Sequence, residues 1–295
     1  MNDKNSSKKN SEIDFVNKPS FQKQISKTRR KQIGLYIIIS LVSLVVTISI
    51  VHSGSRYLIH KKIDESKQQD IQVFSDKPVK GAGIKYGYTT YHYNLFSVEA
   101  ETTYFKTIGN RKIIWDTETK KYPAIGGEEV IDRGTGIVED NPMDQYLGRP
   151  VIYNYLTNER VIEFYYPGID YEFLPQELDI ATELDENKLI EIAISFNEPI
   201  LINELGKKLG SRNVDWLWIP SKTKAQEEIH EVNKVRNGNS AYGFGVSSEN
   251  PYWENFEKNL SASGAVISGT PQELERFLNM NFIRSSTIGV TIDKY

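Results

Sequence analysis

Residues 190–220 read IEIAISFNEPILINELGKKLGSRNVDWLWIP. Ile190, Ile192, Ile194 and Phe196 fall on one face of an extended segment, and Glu191, Ala193 and Ser195 on the other. Pro199 suits the first turn of a helix. Leu201, Ile202, Leu205 and Leu209 form its apolar stripe, and Gly210 suits its stop. Val214 to Ile219 is the next strand, with Trp216 and Trp218 pointing the same way as Val214. The 31 residues have the size of a strand–helix–strand crossover. The two tryptophans have two readings, a platform for a ligand or rings that fill a core, and core filling is the commoner use of such rings.

Downstream the alternation of strands and helices continues. Thr270-Pro271-Gln272-Glu273 is a capping box with Pro at the first helical position, and Leu274, Phe277 and Leu278 follow at helical spacing. Ile288, Val290 and Ile292 alternate as a final strand. These elements predict an α+β domain with a mixed sheet over residues 185–295. Upstream, from about Lys80 to Gly168, strand signals dominate. YGYTTYHYNLFSVEAETTYFKTI is rich in aromatic and β-branched residues. VIYNYLTNERVIEFYYP reads as a hairpin turning near Thr157-Asn158-Glu159, and YPAIGGEEVIDRGTGIVEDNPMD as loop. A β-rich subdomain over 80–180 follows from this.

Residues 33–54 carry no charge. Within them, IGLYIIISLVSLVVTISIV (33–51) lacks Pro, and its polar residues Ser40, Ser43, Thr47 and Ser49 are small hydroxyls able to bond back along a helix. As a helix it spans roughly 28 Å, close to the ~30 Å hydrocarbon core of a bilayer. A transmembrane helix is expected. A cleaved signal peptide, with Ser53-Gly54-Ser55 as cleavage site, fits less well, because the basic lead is long and the apolar run exceeds the usual ~7–15 residues. Lys23, Lys27, Arg29, Arg30 and Lys31 precede the span, whereas only Arg56, Lys61 and Lys62 follow closely. The positive-inside rule then puts the N-terminus in the cytoplasm and the C-terminal part outside, with Arg29, Arg30 and Lys31 setting topology or touching a cytoplasmic partner or anionic lipid. Residues 1–32 form a basic tail too short for a core, in which Phe15, Val16, Phe21 and Ile25 are scattered apolar side chains, with a helix expected from Ser20 into the span. Residues 55–79 read as a polar, helix-compatible stalk.

The bulk numbers narrow the function classes. A net charge of −3 argues against direct nucleic-acid binding. The absence of Cys excludes disulfides, thiolate catalysis and zinc–thiolate sites. The four histidines, His52, His60, His92 and His230, show no zinc-protease spacing. GAGIKYG (81–87) has the wrong spacing for a dinucleotide loop, and no Gly-x-Ser-x-Gly elbow occurs. Ser221 and Lys224 match a Ser-x-x-Lys pattern without its companion motifs. Acid pairs such as Glu128-Glu129, Glu139-Asp140 and Glu227-Glu228 read as solvated faces. A non-enzymatic protein with no cofactor and no metal is expected.

The chain resembles the sigma factor regulator family, membrane-anchored anti-sigma factors of low-GC Gram-positive bacteria. Three parts carry the likeness: FQKQISKTRRKQIGLYIIISLVSLVV leading into the span; IEIAISFNEPI, NVDWLWIP and YGFGV with Phe196, Trp216, Trp218, Tyr242 and Phe244 as the signature aromatics; and ISGTPQELERFL followed by IRSSTIGVTI. The resemblance implies a cytoplasmic segment that holds an extracytoplasmic-function sigma factor and an outer domain that senses or restrains. The departure is the tail, since 32 residues are few for a full sigma-binding domain. Such a tail binds by ordering on contact, with Phe15, Val16, Phe21 and Ile25 as anchors, or together with a second membrane protein. Two rivals remain. One is a cell-envelope protein that docks wall polymer or another protein without any sigma factor, and the other is an extracellular hydrolase using paired carboxylates.

Overall fold

The computed structural model describes residues 19–76, 82–132, 134, 138–141, 151–171, 173–219, 243–246 and 260–295. Two compact units divide the chain, 1–58 and 59–295.

The first unit, as described, is the leading part of helix α1 (Pro19–Asp76), whose later residues belong to the second unit. Pro19 stands at its first position and no other proline interrupts it. Thr47 Oγ1 donates to Ser43 O at 2.8 Å and Ser49 Oγ to Val45 O at 2.8 Å, so these hydroxyls do bond back along the helix. Its apolar stretch is exposed all round, and the helix is long and apolar enough to cross a membrane once.

In the second unit a four-stranded antiparallel meander is made by β1 (Lys85–Tyr93), β2 (Ser97–Ile108), β3 (Arg111–Pro123) and β4 (Glu129–Asp132) in that order. The short pair β5 (Val138–Asn141) and β6 (Val151–Asn154) follows. Residues 122–144, expected as loop, therefore hold β4, whose Glu129, Val130 and Asp132 pair on the edge of β3, and β5, which pairs with β6. Ile59 and Ile63 of α1 pack on the meander against Val98, Ala100 and Tyr122.

The rest folds as α2 (Leu178–Thr182), β7 (Lys188–Leu201), α3 (Ile202–Leu209), β8 (Val214–Trp218), β9 (Gly243–Gly245), β10 (Ser261–Gly269), α4 (Pro271–Leu274) and β11 (Ile283–Asp293). The sheet order is β11-β7-β10-β8-β9. Chain order β7, β8, β10, β11 thus appears across the sheet as fourth, first, third, second, the interleaved split β-α-β arrangement of ferredoxin-like folds. The α+β class holds. The sheet is antiparallel rather than mixed: β10 inserts between β7 and β8, so the two strands of the crossover never pair with each other.

Three local expectations change for identifiable reasons. Pro199 lies at the end of β7, not in the helix, which begins at Ile202. Ser195 pairs with Gly264 and Ile200 with Ala262, so Phe196–Pro199 bulge out of the ladder, where a residue without N–H is tolerated. Val214 does not share a face with the tryptophans. Val266 pairs with Trp216 and Ile267 with Val214, which makes Asp215 the extra residue of a bulge and turns Val214 toward the opposite core. The hairpin turn at 154–160 forms, with Asn154 N donating to Glu159 O, but residues 161–166 do not continue it as a strand. They cross the back of the five-stranded sheet, where Tyr165 N donates to Ser195 Oγ (2.8 Å) and Glu163 N to Thr287 Oγ1 (3.0 Å). Hydroxyls on the sheet face replace the ladder partners that the crossing segment lacks.

Both faces of the sheet are therefore covered. One packs Ile190, Ile192, Ile194 and Phe196 against α3 and α4, and the other packs Ala193, Trp216, Trp218 and Val266 against Ile162, Phe164 and Tyr166. A third cluster, including Tyr104, Ile108, Trp115, Leu189 and Val290, is shared by the two large sheets. At α4 the capping box is complete, with Glu273 N bonded to Thr270 Oγ1 and Thr270 N to Glu273 Oε2.

Candidate functional site

Phe21 and Ile25 lie four residues apart on α1, hence on one face, and are 42% and 38% exposed. Arg29, Arg30 and Lys31 follow on the same helix, all exposed. Phe15 and Val16 lie outside the described residues, as does Tyr242.

The signature aromatics do not make one surface. Trp216 and Trp218 are 4% and 1% exposed. Phe164 stacks on Trp218 with ring centroids 5.1 Å apart, and Tyr166 meets it edge-on at 4.8 Å. Both tryptophans are core, so neither ring is available as a platform. Phe196 is buried on the opposite face, against Phe282 at 5.4 Å. Phe244 pairs across from Leu217 and also packs on that opposite core. Gly243 pairs with Trp218 at the sheet's edge. A Cβ there would lie 2.0 Å from Leu217 O and 2.4 Å from the Trp216 ring, so glycine is what lets β9 close over the indole.

A polar cleft of about 740 Å³ opens where the β2–β3 turn approaches the ends of β8 and β10. Asn110, Asn213, Asp215, Ser268, Glu273 and Lys85 are among its walls. Asn213, with φ of 59°, sits in the left-handed region at the turn before β8, and its Nδ2 donates to Ser268 O at 2.9 Å. Gly109 N donates to Ser268 Oγ at 2.7 Å, joining the two sheets at the cleft floor. Arg212 pairs with Glu273 at 3.5 Å, and the Thr270 backbone N–H holds the Glu273 carboxyl below its usual range. Burial pushes the Asp215 carboxyl up to about 7, against a hydrogen bond from Ser268 that lowers it.

Deeper, Lys106 Nζ on β2 donates to both carboxylate oxygens of Glu191 on β7 at 2.8 Å, each side chain 2% exposed. The Lys106 ammonium also lies 4.0 Å from the centre of the Trp115 ring. Sequence reasoning missed this pair and Asp215. Glu191 alternates with isoleucines as a solvent-facing residue would, and only the covering of the second sheet face makes it internal. Asp215 is displaced by a bulge, which leaves no mark in hydropathy. Among the described residues no group of three His, Asp or Glu is placed to hold a metal ion. The acid pair Glu128-Glu129 is exposed, while Glu139-Asp140 lies in β5 and Glu227-Glu228 outside the described residues.

Residues 182–262 match the family described as sigma factor regulator C-terminal. The match runs from the end of α2 through β7, α3, β8 and β9 to the start of β10. Over that region the chain is similar to the sigma factor regulator family. No curated protein and no solved structure matches the chain.

Proposed function

Taking residues 182–262 as a sigma factor regulator C-terminal region, we propose that the protein is a membrane-anchored anti-sigma factor for a sigma factor of the extracytoplasmic-function class. The family match is the observation that carries the reading, and the one apolar span among the described residues fits it. The excess of Lys and Arg before the span supports a cytoplasmic N-terminus and an outer unit of residues 59–295. The tail holds sigma at the membrane, with Phe15, Val16, Phe21 and Ile25 as apolar anchors, and the exposure of Phe21 and Ile25 leaves them open to a partner. A second membrane protein sharing the grip is part of the reading. The outer unit senses or restrains, and release follows an outer signal, with cleavage near residues 51–75 as the simplest route. Burial of Trp216 and Trp218 removes these two rings from any surface on which wall-polymer docking would rest.

The experiment is purification of the full chain from its membranes, with copurifying sigma factors identified, beside a variant with alanine at Phe15, Val16, Phe21 and Ile25. The expected result is a sigma factor retained by the parent and lost from the variant, with a rise in sigma-dependent transcription. Unchanged transcription at normal protein level would sink the anchor assignment, and absence of any copurifying sigma factor would sink the regulatory reading.

A further inference from the structure

The cleft beside Asp215 holds two orphan acceptors. Among the described residues, Asp215 Oδ2 and Asn213 Oδ1 are sealed from solvent and have no hydrogen-bond donor. Native chains seldom leave buried polar atoms unmatched, and two on one cleft wall point to a missing donor. The Asn213 amide is oriented by its own bond, Nδ2 to Ser268 O, which leaves the carbonyl oxygen as the free end. Terminal torsions of Asp and Asn are broad, so a turn of either side chain brings its oxygen to the cleft wall, for Asn213 in exchange for the bond to Ser268 O.

The chemistry of the walls narrows the donor. A divalent cation asks for several hard oxygen ligands, and no group of three acids is assembled among the described residues. A water supplies two donors and can serve the protonated Asp215, but it brings no charge with which to hold the ionised carboxylate. An ammonium group supplies three donors and a positive charge, enough to serve both oxygens together. Burial favours the protonated Asp215, and an arriving cation would take the place of that proton. A free amine would also feel Lys85, which lines the same cleft and acts electrostatically on Asp215. A ligand that carries a carboxylate as well turns this repulsion into a second contact. The volume, about 740 Å³, lies within the ~300–1,000 Å³ of small-ligand sites. Asn110 and Ser211 offer amide and hydroxyl groups between the two ends.

We propose that this cleft binds a short zwitterionic peptide, its ammonium group on Asp215 and Asn213 and its carboxylate toward Lys85. The site stands apart from the regulatory reading, since binding needs no sigma factor.

The test is equilibrium binding to the full chain in detergent micelles, using triglycine, N-acetyltriglycine and triglycinamide as probes. Triglycine is expected to bind saturably. Acetylation, which removes the ammonium, is expected to weaken it at least tenfold, and amidation, which removes the carboxylate, several-fold. Asp215→Asn should weaken triglycine about tenfold, equivalent to 1.4 kcal/mol, and leave N-acetyltriglycine unchanged. Lys85→Met should weaken triglycine but not triglycinamide. Three results each overturn the proposal: no saturable triglycine binding up to about 10 mM, which would leave only water in the cleft; N-acetyltriglycine binding as well as triglycine; or unchanged triglycine affinity in a folded Asp215→Asn variant, which would show that the ammonium does not sit on Asp215.

Discussion

Lys106 and Glu191 form a buried bidentate ion pair that joins β2 of the meander to β7 of the five-stranded sheet. The two residues are 85 apart in the chain. Two charges withdrawn from water are held by each other, with Glu191 Oε2 also accepting from Val290 N at 3.3 Å. Desolvation offsets much of their attraction, so the pair adds little net stability, yet leaving one partner alone is severe. Lys106→Met or Glu191→Leu singly is expected to destabilise the full chain by about 3–5 kcal/mol. The double variant should recover most of that loss. Denaturant unfolding in detergent measures all three, and single variants within about 1 kcal/mol of the parent would mean that the charges remain hydrated.

Asp215 gives the unit of residues 59–295 a pH dependence of a definite sign. Its carboxyl titrates near 7 in the folded chain and near 3.8 in the reference state, because burial outweighs the Ser268 hydrogen bond and the attraction of Lys85 and Lys106, with Glu191 pushing the same way as burial. Between these two values the folded chain holds the extra proton. Its contribution is therefore fully present below pH ~4, falls as pH rises, and is lost above ~7, by about 4 kcal/mol in total. Asp215→Asn abolishes the titration. It should melt at nearly the parent's temperature at pH 4.5 and clearly above it at pH 8, and equal melting at both pH values would contradict the buried carboxyl.

Gly243 tests the closure of β9 over Trp216. The Cβ introduced by Gly243→Ala would collide with backbone Leu217 O as well as with the indole, so no side-chain rotation relieves it. A cost of about 1–3 kcal/mol is expected. Intrinsic fluorescence should shift to the red as water reaches the indole. A variant with the parent's spectrum and melting temperature would show that β9 is not seated on the tryptophan.

The readable and unreadable parts of the fold divide along a physical line. Periodicity marks residues that bury one face, and so α1, the β7 face of Ile190 to Phe196, the stripe of α3 and the capping box at Thr270 were all legible. Strand pairing is not local. Nothing in 190–220 says that β10 will insert between β7 and β8, or that 161–166 will cross the back of the sheet rather than pair within it. The bulge at Asp215 depends on that pairing, and with it the cleft, whose walls come from sequence positions as distant as Lys85 and Lys294. Polar residues inside an apolar alternation, such as Glu191, become meaningful only once their partner is brought in from another sheet.

Lys62 fastens the later part of α1 to the meander. Its Nζ donates to Pro123 O and Gly126 O, both at 2.6 Å, and to Ala124 O at 3.4 Å, while Ile59, about one turn before it, and the adjacent Ile63 pack on the meander. One ammonium thus meets three carbonyls, that of Pro123 at the end of β3 and those of Ala124 and Gly126 in the turn that follows. Lys62→Met keeps the aliphatic stem and removes the donors, so the packing survives while the carbonyls lose their charge-assisted bonds at a cost of about 1–3 kcal/mol. The loss should be local: faster amide hydrogen exchange at residues 122–128 and in α1 near 59–66, with residues 188–201 at the core of the other sheet unchanged. Ile59→Ala should produce the same pattern by a different route, through about 2–5 kcal/mol of lost packing. Exchange that rises equally in β7 would show that the later part of the helix and the five-stranded sheet open together, and exchange unchanged everywhere would show that the Lys62 contacts do not hold the turn.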